Sequence, residues 1–142
     1  MKHIHFDTES DGFYGAYWEC RGGSDCTVIA MLGDDPEDYM ARSAVKWLLR
    51  LGVNVLTMSP AKKDYSHHNY PLECIEKAIA WLKSHGSAKI GIAGASTTGT
   101  LALTAASIFD DISLTVAMTP SDFVWQGFMQ GKKDGCKEWP IE

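Results

Sequence analysis

No dense cluster of Lys and Arg occurs in this sequence of 142 residues, whose formal net charge is −5. Without one, binding to nucleic acid by counterion release has no footing, and nucleic acid is set aside as a partner. No apolar stretch reaches the roughly 20 residues that a membrane span needs. The opening, MKHIHFDTES, lacks the apolar core of a secretory signal. The expectation is a cytoplasmic protein with no membrane partner. Cys20, Cys26, Cys74 and Cys136 form neither C-x-x-C nor a zinc-ligand spacing, so reduced thiols and no metal site are expected. Gly94 and Gly99 have the G-x-x-x-x-G spacing of a phosphate-binding loop, but Thr100 stands where its Lys belongs, and G-x-G-x-x-G is absent. No cofactor is therefore expected. Internal repeats and low-complexity linkers are missing too.

What is present is alternation. The chain is 45% hydrophobic and 22% charged, enough for one domain with a real core. TVIAML (27–32), VNVLTM (53–58), AKIGIA (88–93) and ISLTVAM (112–118) are short, apolar and rich in β-branched residues. They lack strict in-and-out alternation, as strands buried on both faces of a parallel sheet do. Between them, Ala41, Ala44, Val45 and Leu48 keep helical spacing, with Asp34 or Asp35 as cap, Pro36 in the first turn and Gly52 as stop. Ile75, Ala78, Ile79 and Leu82 repeat that spacing between Pro71 and Gly86, and an Ala- and Leu-rich stretch follows Thr97. This order predicts a parallel α/β domain with right-handed crossovers. Residues 3–7 and 14–20 read as an antiparallel pair at one edge. Residues 120–142 show no period and read as the start of a lid or connecting segment.

The stretch IGIAGASTTG (90–99) puts Ser96 between a strand and a helix, at the carboxyl end of the sheet where open α/β folds bind ligands. A serine on such a turn exposes its Oγ, and the Thr97 N–H is one oxyanion donor. The second donor is expected from the loop after residues 27–32, at Gly33 or Asp34. The usual elbow is G-x-S-x-G; here it reads Gly94-Ala95-Ser96-Thr97-Thr98, with the glycine delayed to Gly99. Threonine two positions after the serine fits a tight turn less easily than a small residue. An ordinary turn that happens to hold a serine is the competing reading.

KIGIAGASTTGTLALTAAS, a strand, and then TPSDFVWQGF resemble the α/β-hydrolase superfamily, and more narrowly the acyl-CoA thioester hydrolase and bile-acid-CoA:amino-acid N-acyltransferase C-terminal domain family. The likeness runs over residues 27–128, with Gly33 and Arg42 keeping the family's spacing between oxyanion loop and helix arginine. It implies a three-layer α/β-hydrolase sheet, mostly parallel with an antiparallel N-terminal edge pair. It also implies a serine hydrolase or acyltransferase acting on a small-molecule ester or thioester, with an acyl-CoA-like thioester as one candidate. By that resemblance Ser96 is the nucleophile, Thr97 stands where the family has Lys, and Gly33 and Asp34 begin the oxyanion loop. The chain departs from the family at Thr97, at Thr98, and at GDDP in place of a glycine-rich loop.

In such folds the triad acid and histidine follow later strands, so both are expected beyond residue 142, with the domain truncated after about the sixth strand. The strand at 112–118 would then be an exposed edge, expected to pair with a second copy or with a missing C-terminal half. His67 and His68, on a loop of the same rim, are alternative bases, against the plainer reading of a solvated loop. Asp122 is an alternative acid, against a turn or cap. His67, His68 and Asp64 make a poor metal site because adjacent histidines diverge. Trp125 and Phe128 would line an acyl pocket or simply pack. Thr98 and the Asp34–Asp35 pair also motivate a second function: a catalytically inactive binding protein of the same fold.

Overall fold

The computed structural model describes residues 3–59 and 70–124. Nine elements run in the order β1 (His3–Phe6), β2 (Gly15–Trp18), β3 (Cys26–Met31), α1 (Tyr39–Arg50), β4 (Asn54–Met58), α2 (Glu73–Ser84), β5 (Lys89–Ala95), α3 (Thr97–Ile108) and β6 (Ile112–Met118). The expected strands and helices are all present, their ends shifted by a residue or two except at the start of α1. One sheet orders them β1-β2-β4-β3-β5-β6. β1 and β2 form the antiparallel edge pair, β2 meets β4 antiparallel, and β3, β4, β5 and β6 are parallel.

Pleat alternation divides the apolar side chains between two faces. Ile29, Met31, Leu56, Met58, Ile90 and Ile92 pack with Ile75, Ile79 and Leu82 of α2 and Ala102 and Ala105 of α3. On the other face Ala30 and Val55 pack with Val45 and Leu48 of α1. The result is three layers with two cores. Buried polar groups are paired at the amino ends of the strands: Thr27 Oγ1 meets Ser87 Oγ at 2.7 Å, and the Asn54 side chain accepts from Cys20 N–H and donates to Ser24 O. Cys20, Cys26 and Cys74 form no disulfide among the described residues; Cys136 lies outside them. Among the described residues no helix is long and apolar enough to cross a membrane.

Two expectations need correction. The cap of α1 is Asp38, not Asp34 or Asp35: the helix starts at Tyr39, and Asp38 accepts from Ala41 N–H at 2.8 Å. Pro36 therefore lies in the preceding loop. The second correction concerns β6, which is not buried on both faces. Val28 and Ala30 point toward α1, and the register carries that face through Gly91 and Ala93 to Leu114, Val116 and Met118. Among the described residues no helix covers this part of the sheet, and the three side chains are 62%, 45% and 44% exposed.

Among the described residues β6 is an uncharged strand with an open edge and an open apolar face, which is a template for pairing. The 15.6 kDa chain is expected to elute above monomer mass in sizing with light scattering. Val116→Lys, which places a charge on that face, should shift it toward monomer without loss of fold. A monodisperse wild-type monomer would contradict this.

Candidate active site

The site is built where α3 starts against the end of β5. Gly94 makes the approach possible: a Cβ there would stand 2.1 Å from the Thr98 carbonyl oxygen and 2.4 Å from its carbon. Gly99 is the second close approach, with a Cβ position 3.0 Å from Met118 O. The glycine that seemed delayed in the sequence therefore has a place of its own, bringing α3 onto β6. Thr98, the unexpected threonine, is buried. Its Oγ1 accepts from Ala95 N–H at 3.0 Å and has Met31 O and Ala95 O within donor reach, at 2.6 and 2.9 Å. Turned inward, the hydroxyl fastens the elbow to the end of β3, which is how a β-branched residue is accommodated.

Ser96 sits between these contacts with φ 54° and ψ −121° and is exposed. A non-glycine residue in this region carries roughly 1–3 kcal/mol of backbone strain, which persists only where surrounding structure enforces it. Its neighbours do so. Ser96 N–H donates to Met118 O at 2.9 Å, Thr100 N–H donates to Ser96 O at 3.1 Å, and Ser121 N–H donates to Thr100 Oγ1 at 2.8 Å. Ser96 makes no side-chain cap bond to α3, so its Oγ does not satisfy the N–H groups of the first turn. Thr97, first residue of that helix, is half-buried beside it.

The loop after β3 lies next to the elbow, because Met31 is the register partner of Gly94. Gly33 has φ 114°, and a Cβ there would stand 2.4 Å from Asp38 Oδ1, so only glycine fits. The Asp38 carboxylate organises the whole turn. Its Oδ2 accepts from Asp34 N–H at 2.7 Å and Asp35 N–H at 3.2 Å, while Oδ1 caps α1. Burial works to raise the Asp38 carboxyl, but N–H groups of Ala41, Asp34, Asp35 and Met40 outweigh it and hold it below its ordinary value. Asp34 O accepts from Ser59 Oγ at 2.8 Å, and Asp35 accepts from Tyr14 Oη at 2.8 Å. Burial and that bond push the Tyr14 phenol up to about 12. Of the two expected loop donors, the Asp34 N–H is thus already given to Asp38.

The described histidines are placed elsewhere. His3 Nε2 and His5 Nδ1 face the Glu37 carboxylate at 3.0 and 3.3 Å. They lie on β1, four strand spacings or roughly 19 Å from β5. His85 ends α2, at the opposite rim, stacked on Trp81 with ring centroids 3.8 Å apart. Asp122 follows β6 on the rim of Ser96 and is exposed. His67, His68, Trp125 and Phe128 lie outside the described residues, as does most of the 120–142 segment. Among the described residues no group of three His, Cys, Asp or Glu side chains is arranged to hold a metal ion. The Asp38 clasp was the feature sequence reasoning missed; its signal was an Asp three residues before a buried Ala at the head of an amphipathic run.

Residues 70–141 match the model of the BAAT / acyl-CoA thioester hydrolase C-terminal family. An esterase of Pyrococcus furiosus superposes with a TM-score of 0.61 and 24% identity, over 76% of this chain and 45% of its own. That likeness shows the shared fold, and the chain spans less than half the length of the esterase. No curated protein matches.

Two stability measurements check this geometry. Ser96→Gly should raise stability by about 1 kcal/mol, because relieved strain of roughly 1–3 kcal/mol exceeds the entropic cost of glycine, about 0.5–1 kcal/mol. Ser96→Ala keeps a Cβ and should leave stability near wild type. Asp38→Ala should cost about 1 kcal/mol at neutral pH. The folded carboxyl is depressed, so its contribution is complete above the unfolded value near ~4 and fades as pH falls through the folded value. The gap between wild type and Asp38→Ala in urea melts should therefore close in acid.

Proposed function

The chain belongs to the BAAT / acyl-CoA thioester hydrolase C-terminal family, and on that premise we propose that it forms part of a serine hydrolase or acyltransferase acting on an ester or thioester. The observation that carries the reading is Ser96, exposed and held at φ 54° on the turn from β5 into α3. In this reading Ser96 Oγ attacks the acyl carbon and gives its proton to a base. The tetrahedral oxyanion accepts a hydrogen bond from Thr97 N–H and a second from the Gly33 end of the loop. The leaving alcohol or thiol then takes the proton, and water or another acceptor releases the acyl group. Because His3, His5 and His85 are far from the elbow, the base is His67, His68 or a residue beyond the 142. The acid is Asp122 or likewise lies beyond them. An acyl-CoA is the substrate class that the family name suggests.

One observation favours the inactive-binder alternative: the Asp34 N–H is occupied by the Asp38 carboxylate, in an acidic loop beside a site meant to stabilise negative charge. Turnover of any ester that disappears in Ser96→Ala excludes it. The direct check is a fluorophosphonate probe on the folded product of the complete reading frame. Labelling mapped to Ser96 and lost in Ser96→Ala is the expected result. A folded protein that stays unlabelled, or labels equally in Ser96→Ala, would overturn the proposal.

A further inference from the structure

A cleft of about 460 Å³ lies between α1 and the end of β2 at Trp18, on the sheet face opposite α2 and α3. Its floor is apolar: Trp18, Val45 and Leu49. The indole is fixed in place, stacked on His3 with centroids 4.0 Å apart and anchored by Nε1–H donating to Thr57 Oγ1 at 3.4 Å. The rim is cationic: Arg21, Arg42, Lys46 and Arg50. Four of the chain's 13 Lys and Arg thus line one cleft with no Asp or Glu among its walls, in a chain whose net charge is −5. The concentration is local, and it runs against the charge of the whole.

Among the described residues ion pairs do not absorb Arg21, Lys46 or Arg50; Arg42 alone is engaged, its Nε–H donating to Glu37 O at 2.7 Å and its guanidinium 3.8 Å from the Glu37 carboxylate. The helix dipole accounts for Arg50 in the last turn of α1. It disfavours Arg42 near the start, and α1 (YMARSAVKWLLR) contains no acidic residue to offset it. Arg42, Lys46 and Arg50 recur every fourth residue, so they line one side of the helix about 6 Å apart. Arg21 faces them from the 20–24 loop, which Asn54 holds at both Cys20 N–H and Ser24 O. Guanidinium and ammonium groups lining one cleft beside an indole suit phosphate oxygens attached to an apolar or aromatic body. A single carboxylate would leave most of that charge unanswered.

We propose that this cleft binds a small organic phosphate, its body lying on Trp18, Val45 and Leu49 and its phosphate held by Arg21, Lys46 and Arg50. The site is separate from Ser96 and does not rest on the esterase reading. Adenosine 5′-diphosphate and monododecyl phosphate, the latter below its aggregation concentration, are the probes in calorimetric titration; they distinguish a ring from an acyl body. Adenosine and inorganic phosphate serve as half-ligands. One of the two organic phosphates should saturate at one site per chain in the sub-millimolar range, with the half-ligands at least tenfold weaker. Lys46→Glu and Arg50→Glu, both at exposed positions, should each weaken binding at least tenfold while the protein stays cooperatively folded, with at most a small drop in melting temperature for Arg50→Glu at the helix C-terminus; Ser96→Ala should bind as wild type. The proposal is overturned if neither organic phosphate saturates. Equal binding by the folded charge-reversed variants, or by a half-ligand, overturns it as well.

Discussion

The crossing of α3 over the end of β5 is the constraint from which the site follows. Backbone meets backbone there with no room for a side chain at Gly94. The chain turns from strand to helix in one residue, and that residue is Ser96, at a positive φ. The bonds from Ser96 N–H to Met118 O and from Thr98 Oγ1 toward Met31 O tie the turn to both neighbouring strands. The strain is thus distributed over β3, β5 and β6, and the exposed Oγ is its consequence.

Much of this was legible in the sequence, because it depends on local pattern. Apolar β-branched runs gave the parallel strands, and helical spacing in Ile75, Ala78, Ile79 and Leu82 gave α2 with its buried face. Ser96 stood out through its place between such a run and a helix. What was not legible depends on which of several equivalent groups wins in three dimensions. Asp34, Asp35 and Asp38 are equally good caps by type; Asp38 prevails because its carboxylate also reaches back to the N–H groups of the other two. Thr98 looked like a misfit because its hydroxyl partner, Met31 O, is 67 residues away. The open face of β6 could not be read from ISLTVAM, since an apolar strand has the same composition whether or not a helix covers it.

The two faces of α1 have opposite electrostatics. Its amino end follows an acidic loop clasped by Asp38, beside the elbow. Its flank over Trp18 carries Arg42, Lys46 and Arg50 without an acid among them. One helix thereby separates the elbow rim, where the proposed chemistry calls on N–H donors, from a cleft lined by cationic side chains. That division lets a chain with a net charge of −5 still concentrate four cationic side chains at one cleft.

The central claim is that the strained turn makes Ser96 a nucleophile. Its most direct measurement is acyl-enzyme trapping: brief reaction of the folded protein with p-nitrophenyl acetate, acid quench, intact mass and peptide mapping. The account predicts one added acetyl group, located on Ser96. An acetyl group found only on lysine or cysteine side chains, or no adduct on a folded protein from the complete reading frame, would contradict it.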